Sequence, residues 1–206
     1  MNEELPISEQ TARDIVIPYL RKNFGDKVRK AVAGTPFDEN HIYGIACQEM
    51  AIYWLPWIKT HTPDQILSLC IGDATGDTQS TTGMRKAFPT NYYDFAGKAG
   101  KQVADMLVDE GKKYRVAKGF HDMPPTMLYK AYGIFQYDLQ AYFDDKDFFD
   151  KKLWYNFDEC LKRVIKELIS KYHIHNDPFA AVKAYNGIGQ AAENYAKNVF
   201  LYKNLC

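Results

Sequence analysis

Apolar positions recur at intervals of three and four over most of this chain, the spacing of one face of an α-helix. Ile15, Val16, Tyr19 and Leu20 make a first stripe, with Ser8 as its N-cap, a stop expected near Asn23 and Gly25, and Pro18 expected to kink or divide it. Thr35-Pro36-Phe37-Asp38 is a second start signal, with threonine as cap, proline at the first helical position and an acid at the third. The helix it opens is expected to run to Pro56, with Ile42, Ile45, Ala46, Glu49 and Tyr53 on one stripe. Thr62-Pro63-Asp64-Gln65 repeats the signal for a short helix over Ile66, Leu67 and Leu69 that closes near Gly72. A long helix is expected from Asn91 to about Lys118 on Val103, Met106, Leu107 and Tyr114, with Gly97 and Gly100 as places for close packing. Three more follow. Asn156 opens one to about Tyr172, Asp177-Pro178 opens one that stops at Gly187, and Gln190 to about Tyr202 makes the last, with Ala191, Tyr195, Val199 and Tyr202 inward.

Two stretches break the pattern. Between Gly72 and Thr90 small and polar residues accumulate, which reads as a surface loop beside a cleft. Its aspartates, Asp73 and Asp77, lack the later glutamate and the ligand rhythm of an EF-hand. The second break, Gly119 to Pro125, ends in a proline pair that forbids regular helix. Near Tyr132–Tyr137 there is room for a small β element. The expected fold is mainly α, one domain over residues 1–206.

The bulk numbers mostly exclude. With 26 basic and 26 acidic residues, nothing suggests electrostatic capture of nucleic acid or of an anionic membrane. No run is long and apolar enough for a transmembrane span, and the first residues carry no Sec signal, so action outside the cytoplasm needs another route. Cys47, Cys70, Cys160 and Cys206 show no metal-binding spacing and read as free thiols; no metal and no cofactor is expected. His173 and His175, two apart, do not share a helix face. Aromatics reach 15% of the chain, which permits stacking on sugar rings and equally a large core.

Glu49 is the residue that asks for chemistry. A carboxylate on an apolar stripe is costly to bury, and burial raises its pKa toward what a general acid needs near neutral pH. A buried basic partner, or a place at the rim of the core, would explain it as plain structure. Downstream, Gly133-Ile134-Phe135-Gln136-Tyr137-Asp138 puts an amide and a carboxylate two apart, on one face if the segment is extended. Then Ala184-Tyr185-Asn186-Gly187 closes one helix, and Tyr195-Ala196 lies in the next.

In this order the three segments resemble the lysozyme-like superfamily, in particular goose-type lysozymes and soluble lytic transglycosylases. Gly133 to Asp138 is similar to the family's Gly-Leu-Met-Gln-Val-Asp, and Ala184 to Gly187 with the final helix to its Ala-Tyr-Asn-x-Gly segment. Two departures stand out: Met50 follows Glu49 where the family has serine, and a long insertion, around residues 60–125, separates Glu49 from Gly133. The resemblance implies a lysozyme-like α+β fold, a helical bundle around a substrate cleft. It implies cleavage of the β-1,4 bond between N-acetylmuramic acid and N-acetylglucosamine in peptidoglycan, with Glu49 as the acid. Gln136 and Asp138 would line the cleft, Tyr185 would approach Glu49 or the substrate, and Asn186 would bind sugar. Either the substrate's own hydroxyl attacks, giving an anhydro product, or a second carboxylate directs water. Asp138 and Asp122 are the first candidates for that carboxylate, ahead of Asp73 and Asp77. The implied partner is the glycan strand, with an immunity or inhibitor protein or a delivery machine as further partners, as for an endolysin or an injected effector. Chitinase or chitosanase activity on the same fold, or a non-catalytic glycan-binding module, are the alternatives.

Overall fold

A computed structural model describes residues 5–74, 87–122 and 124–206. In chain order the elements are α1 (Glu9–Thr11), a π-helical turn (Ala12–Val16), α2 (Ile17–Val32), α3 (Glu39–Glu49), α4 (Ala51–Trp54) and α5 (Pro63–Ser68). Strand β1 (Ile71–Ala74), α6 (Tyr92–Ala99), α7 (Lys101–Ala117), β2 (Tyr129–Tyr132), β3 (Tyr137–Asp138) and α8 (Lys146–Asp150) follow, then α9 (Phe157–His175), α10 (Pro178–Asn186) and α11 (Gly189–Lys203). The protein is mainly helical, and among the described residues there is one small antiparallel sheet, ordered β1-β2-β3. Among the described residues no helix is long and apolar enough to cross a membrane. The chain divides into two compact units, one made of residues 1–63 and 157–206 and the other of 64–156.

In the first unit α3 is buried on every side from His41 to Cys47, as a helix apolar all round must be. It packs on α2 and, most extensively, on α11. Gly44 permits that approach: a Cβ there would stand 2.5 Å from the Val199 carbonyl oxygen. Asp38 and His41 start α3 with a reciprocal capping box, so the helix begins later than the Thr35-Pro36 signal suggests. Thr35 instead closes the preceding turn, its hydroxyl donating to the Val32 carbonyl at 2.8 Å. Pro18 does not divide the first helical run: Val16 and Ile17 keep helical backbone angles, and the proline follows a π-helical turn at the start of α2. Gly25 does not stop α2. It is buried inside the helix, because Leu20, Phe24, Val28 and Val32 carry the apolar stripe four residues at a time past it.

In the second unit β1 pairs with β2 (Ile71 opposite Tyr132) and β2 with β3 (Tyr132 opposite Tyr137). Tyr132, Tyr137, Phe148, Phe149 and Trp154 form an aromatic core against this sheet. The expected long helix is two helices, α6 and α7. Gly100 adopts φ +105° and breaks the run, and neither it nor Gly97 has any atom within 4 Å of a built Cβ, so neither serves close packing. The inward side of α7 is Ala104, Leu107, Val108, Gly111 and Tyr114, joined by buried Glu110. Glu110 accepts hydrogen bonds from Lys113 and Lys152, each at 2.7 Å, and from the Tyr155 hydroxyl. Burial opposes its ionisation, but these three donors outweigh burial and hold its pKa below the ordinary value.

Candidate functional site

Glu49 is the last residue of α3. Met50 leaves the helix at φ −125° and ψ −3°, so the inward stripe ends here and Tyr53, on α4, is largely exposed. A carboxylate at a helix C-terminus faces the negative end of the backbone dipole, an unfavourable place for its charge. Its surroundings add to that. Burial pushes the Glu49 pKa up to about 7, and the negative charge of Glu167 on α9 adds to the rise, while a hydrogen bond from Tyr195 works against it. That bond runs from the Tyr195 hydroxyl to Glu49 Oε1 at 2.6 Å.

Tyr195 comes from α11, the helix that packs most closely on α3, and its ring lies 6.3 Å from that of Tyr185, centroid to centroid. Both tyrosines are held well above the ordinary phenol range by burial and by the charge of Glu49. They therefore stay protonated as donors wherever Glu49 titrates. Tyr185 and Asn186 end α10, where Gly187 at φ +126° stops the helix and Gly189 at φ +84° opens α11. Asp177 caps the other end of α10, accepting from the Ala180 backbone N–H at 2.7 Å. The salt bridge of Lys183 to Glu193, at 2.7 Å, ties α10 to α11. Asn186 is exposed at the end of this hairpin.

The structure thus brings Glu49 and Tyr185 together within the first unit and adds two residues not anticipated as site members, Tyr195 and Glu167. Tyr195 was legible as an inward residue of the last helix, and two inward polar groups on helices that pack have reason to bond. Glu167 follows Cys160 and Val164 at helical spacing, so it too stands on an otherwise apolar stripe of α9. Glu49 interrupts the stripe of α3 in the same way.

Gln136, Asp138 and Asp122 belong to the second unit. Gln136 is not in an extended strand. It sits in the turn between β2 and β3 at φ +53°, and its side-chain Nε2 donates to the Gly133 carbonyl at 2.8 Å. The four-residue turn needs left-handed backbone at both Gly133 and Gln136, so strand alternation does not govern the pair. Asp138 ends β3, and its Oδ1 accepts from the Gln140 backbone N–H at 2.8 Å, which starts a 3-10 turn. Asp122 is exposed in the loop after α7, where its carbonyl accepts from Arg115 at 3.0 Å. Asp73 falls in β1, and Asp77 lies outside the described residues, as does the rest of 75–86, where a loop is expected from the sequence.

Among the described residues no three His, Cys, Asp or Glu side chains gather as a metal ion requires. The four cysteines are free, with Cys47, Cys70 and Cys160 buried. What the Glu49 cluster can do chemically is give up a proton near neutral pH, from a carboxyl steadied by a phenol that does not itself ionise. Comparison with protein-family models, with curated proteins and with solved structures found no match to this chain.

Proposed function

We propose that this chain is a peptidoglycan-cleaving muramidase of lysozyme-like character, with Glu49 as the general acid that protonates the glycosidic oxygen. One observation carries the reading: a carboxyl group at the end of a core helix whose pKa is raised to about 7. An ordinary glutamate near pH 4.5 is almost wholly ionised at neutral pH and has no proton to give. With its pKa raised to about 7, this one retains a protonated population there, the condition a glycosidase acid must meet. The Tyr195 hydroxyl steadies the carboxylate left after proton transfer. The Ala184 to Gly187 segment, the most specific part of the resemblance, sets Tyr185 in the same cluster and leaves Asn186 exposed at its edge to meet a sugar.

Cleavage of a glycosidic bond by one acid can finish in two ways. Attack by the substrate's own hydroxyl gives an anhydro product, and a second carboxylate that directs water gives hydrolysis. Glu167, whose charge reaches Glu49 within the same unit, is a candidate for that second role. Digestion of purified cell-wall sacculi, followed by mass analysis of the released muropeptides, tests the reading. Reducing-end muropeptides mean hydrolysis, and products lighter by one water mean transglycosylation. Untouched sacculi with release of chitin oligosaccharides would move the assignment to another polymer.

A further inference from the structure

Away from the Glu49 cluster, the first unit carries a groove of roughly 810 Å³ between α2 and α9. Lys27, Lys30 and Ala31 line it from α2; Asp158, Leu161, Lys162, Ile165, Lys166 and Ile169 line it from α9. The α9 contributions fall at helical spacing over three turns, a length of about 16 Å. Leu161 and Ile165 form a buried floor, flanked by the partly exposed Ala31 and Ile169. One end is tied across by the Lys27–Asp158 bridge at 2.8 Å, within one helical turn of the stacked rings of Phe24 and Phe157.

The rims are what choose an occupant. Lys30, Lys162 and Lys166 make no ion pair among the described residues. They stand on both sides of one apolar floor, in a chain whose formal charge is zero. Two basic rims over a straight apolar trough complement a rod with an apolar ridge and acidic flanks. We propose that this groove docks an amphipathic helix of a partner protein, its leucine-type ridge on Leu161, Ile165 and Ile169 and its carboxylates on Lys30, Lys162 and Lys166. Helix-in-groove recognition uses anchors at i, i+3, i+4 and i+7, and three turns supply them. The lysines contribute orientation and encounter rate, and the apolar ridge contributes the buried contact.

The test uses the full chain and two labelled synthetic helices of four turns, both with leucine at i, i+3, i+4 and i+7. One has glutamate on both flanks and the other lysine. Fluorescence anisotropy is expected to show saturable binding of the glutamate peptide only, weakened at least tenfold in K30A/K162A/K166A and weakened by added salt. These three lysines are exposed, and circular dichroism of the triple variant checks that it folds. Equal binding of both peptides, no saturation up to millimolar peptide, or an unchanged affinity in the triple variant each overturns the proposal. So does self-association in sedimentation that the triple variant abolishes, which assigns the groove to a second copy. Lysine-dependent adsorption to phosphatidylglycerol vesicles without peptide binding assigns it to a membrane surface and overturns it equally.

Discussion

The Tyr195 hydroxyl donates to Glu49 Oε1 at 2.6 Å across 146 positions of sequence, joining the end of α3 to the helix that packs most extensively on it. The bond favours the ionised carboxylate, while burial and Glu167 favour the protonated acid and prevail. Removing the donor therefore lets the pKa rise further. In Tyr195→Phe the alkaline limb of the pH–rate profile is expected at higher pH, by about one unit, since a hydrogen bond to a charged group contributes about 1.5–3 kcal/mol. A limb that stays in place or moves down contradicts this arrangement.

Glu167 acts with the opposite sign. Glu167→Gln removes the like charge, so the Glu49 pKa is expected to fall toward the ordinary carboxylate value. Carbon-13 NMR titration of the glutamate carboxyls, with Glu49→Gln to identify the resonance, reads this without any assay of turnover. A resonance that titrates unchanged in Glu167→Gln shows that the two carboxylates do not interact.

The raised pKa also fixes a pH dependence of stability. Glu49 titrates near 4.5 as a free side chain and at about 7 in the folded protein. Below pH 4.5 both states are protonated and ionisation carries no penalty. Between about 4.5 and 7 the unfolded chain ionises first, so folding loses stability as pH rises, by about 3 kcal/mol in all. Glu49→Gln keeps a neutral group there at every pH. It is expected to match the wild type near pH 4 and to exceed it in urea unfolding at pH 8; equal midpoints at pH 8 contradict the assignment.

Packing of α3 on α11 makes a separate prediction. Gly44→Ala places a methyl group 2.5 Å from the Val199 carbonyl oxygen, a backbone atom that cannot move aside alone. A loss of about 1–3 kcal/mol is expected from overpacking. Gly97→Ala, where a Cβ meets nothing within 4 Å, is the control and is expected to gain slightly in helix propensity. Urea midpoints of the two variants decide it.

Where a helix starts or stops by local chemistry, the sequence announced it. Asp177-Pro178 and Gly187 bound α10, and of the apolar residues expected to build α9, Leu161, Val164, Ile165 and Leu168 are buried while Ile169 stays half-buried. Departures arise where tertiary contacts overrule the local signal. Gly25 looked like a stop, but buried neighbours on both sides carry α2 through it. Gly100 looked like a packing position, but its backbone turns to positive φ and ends α6. Strand alternation pairs Gln136 with Asp138, and no rule of alternation applies to a left-handed turn residue. In the candidate site, Glu49 was legible because one polar residue interrupted an apolar stripe. Tyr195 and Glu167 are legible only as inward positions of their own helices, because their bearing on Glu49 exists only once α9 and α11 fold back beside the end of α3.

The proposed role of Glu49 is tested most directly by comparing wild type and Glu49→Gln on cell-wall sacculi, with released muropeptides weighed by mass spectrometry and folding confirmed by circular dichroism. The account predicts muropeptides from the wild type and none from a folded Glu49→Gln. Release of the same products at the same rate by Glu49→Gln would contradict it.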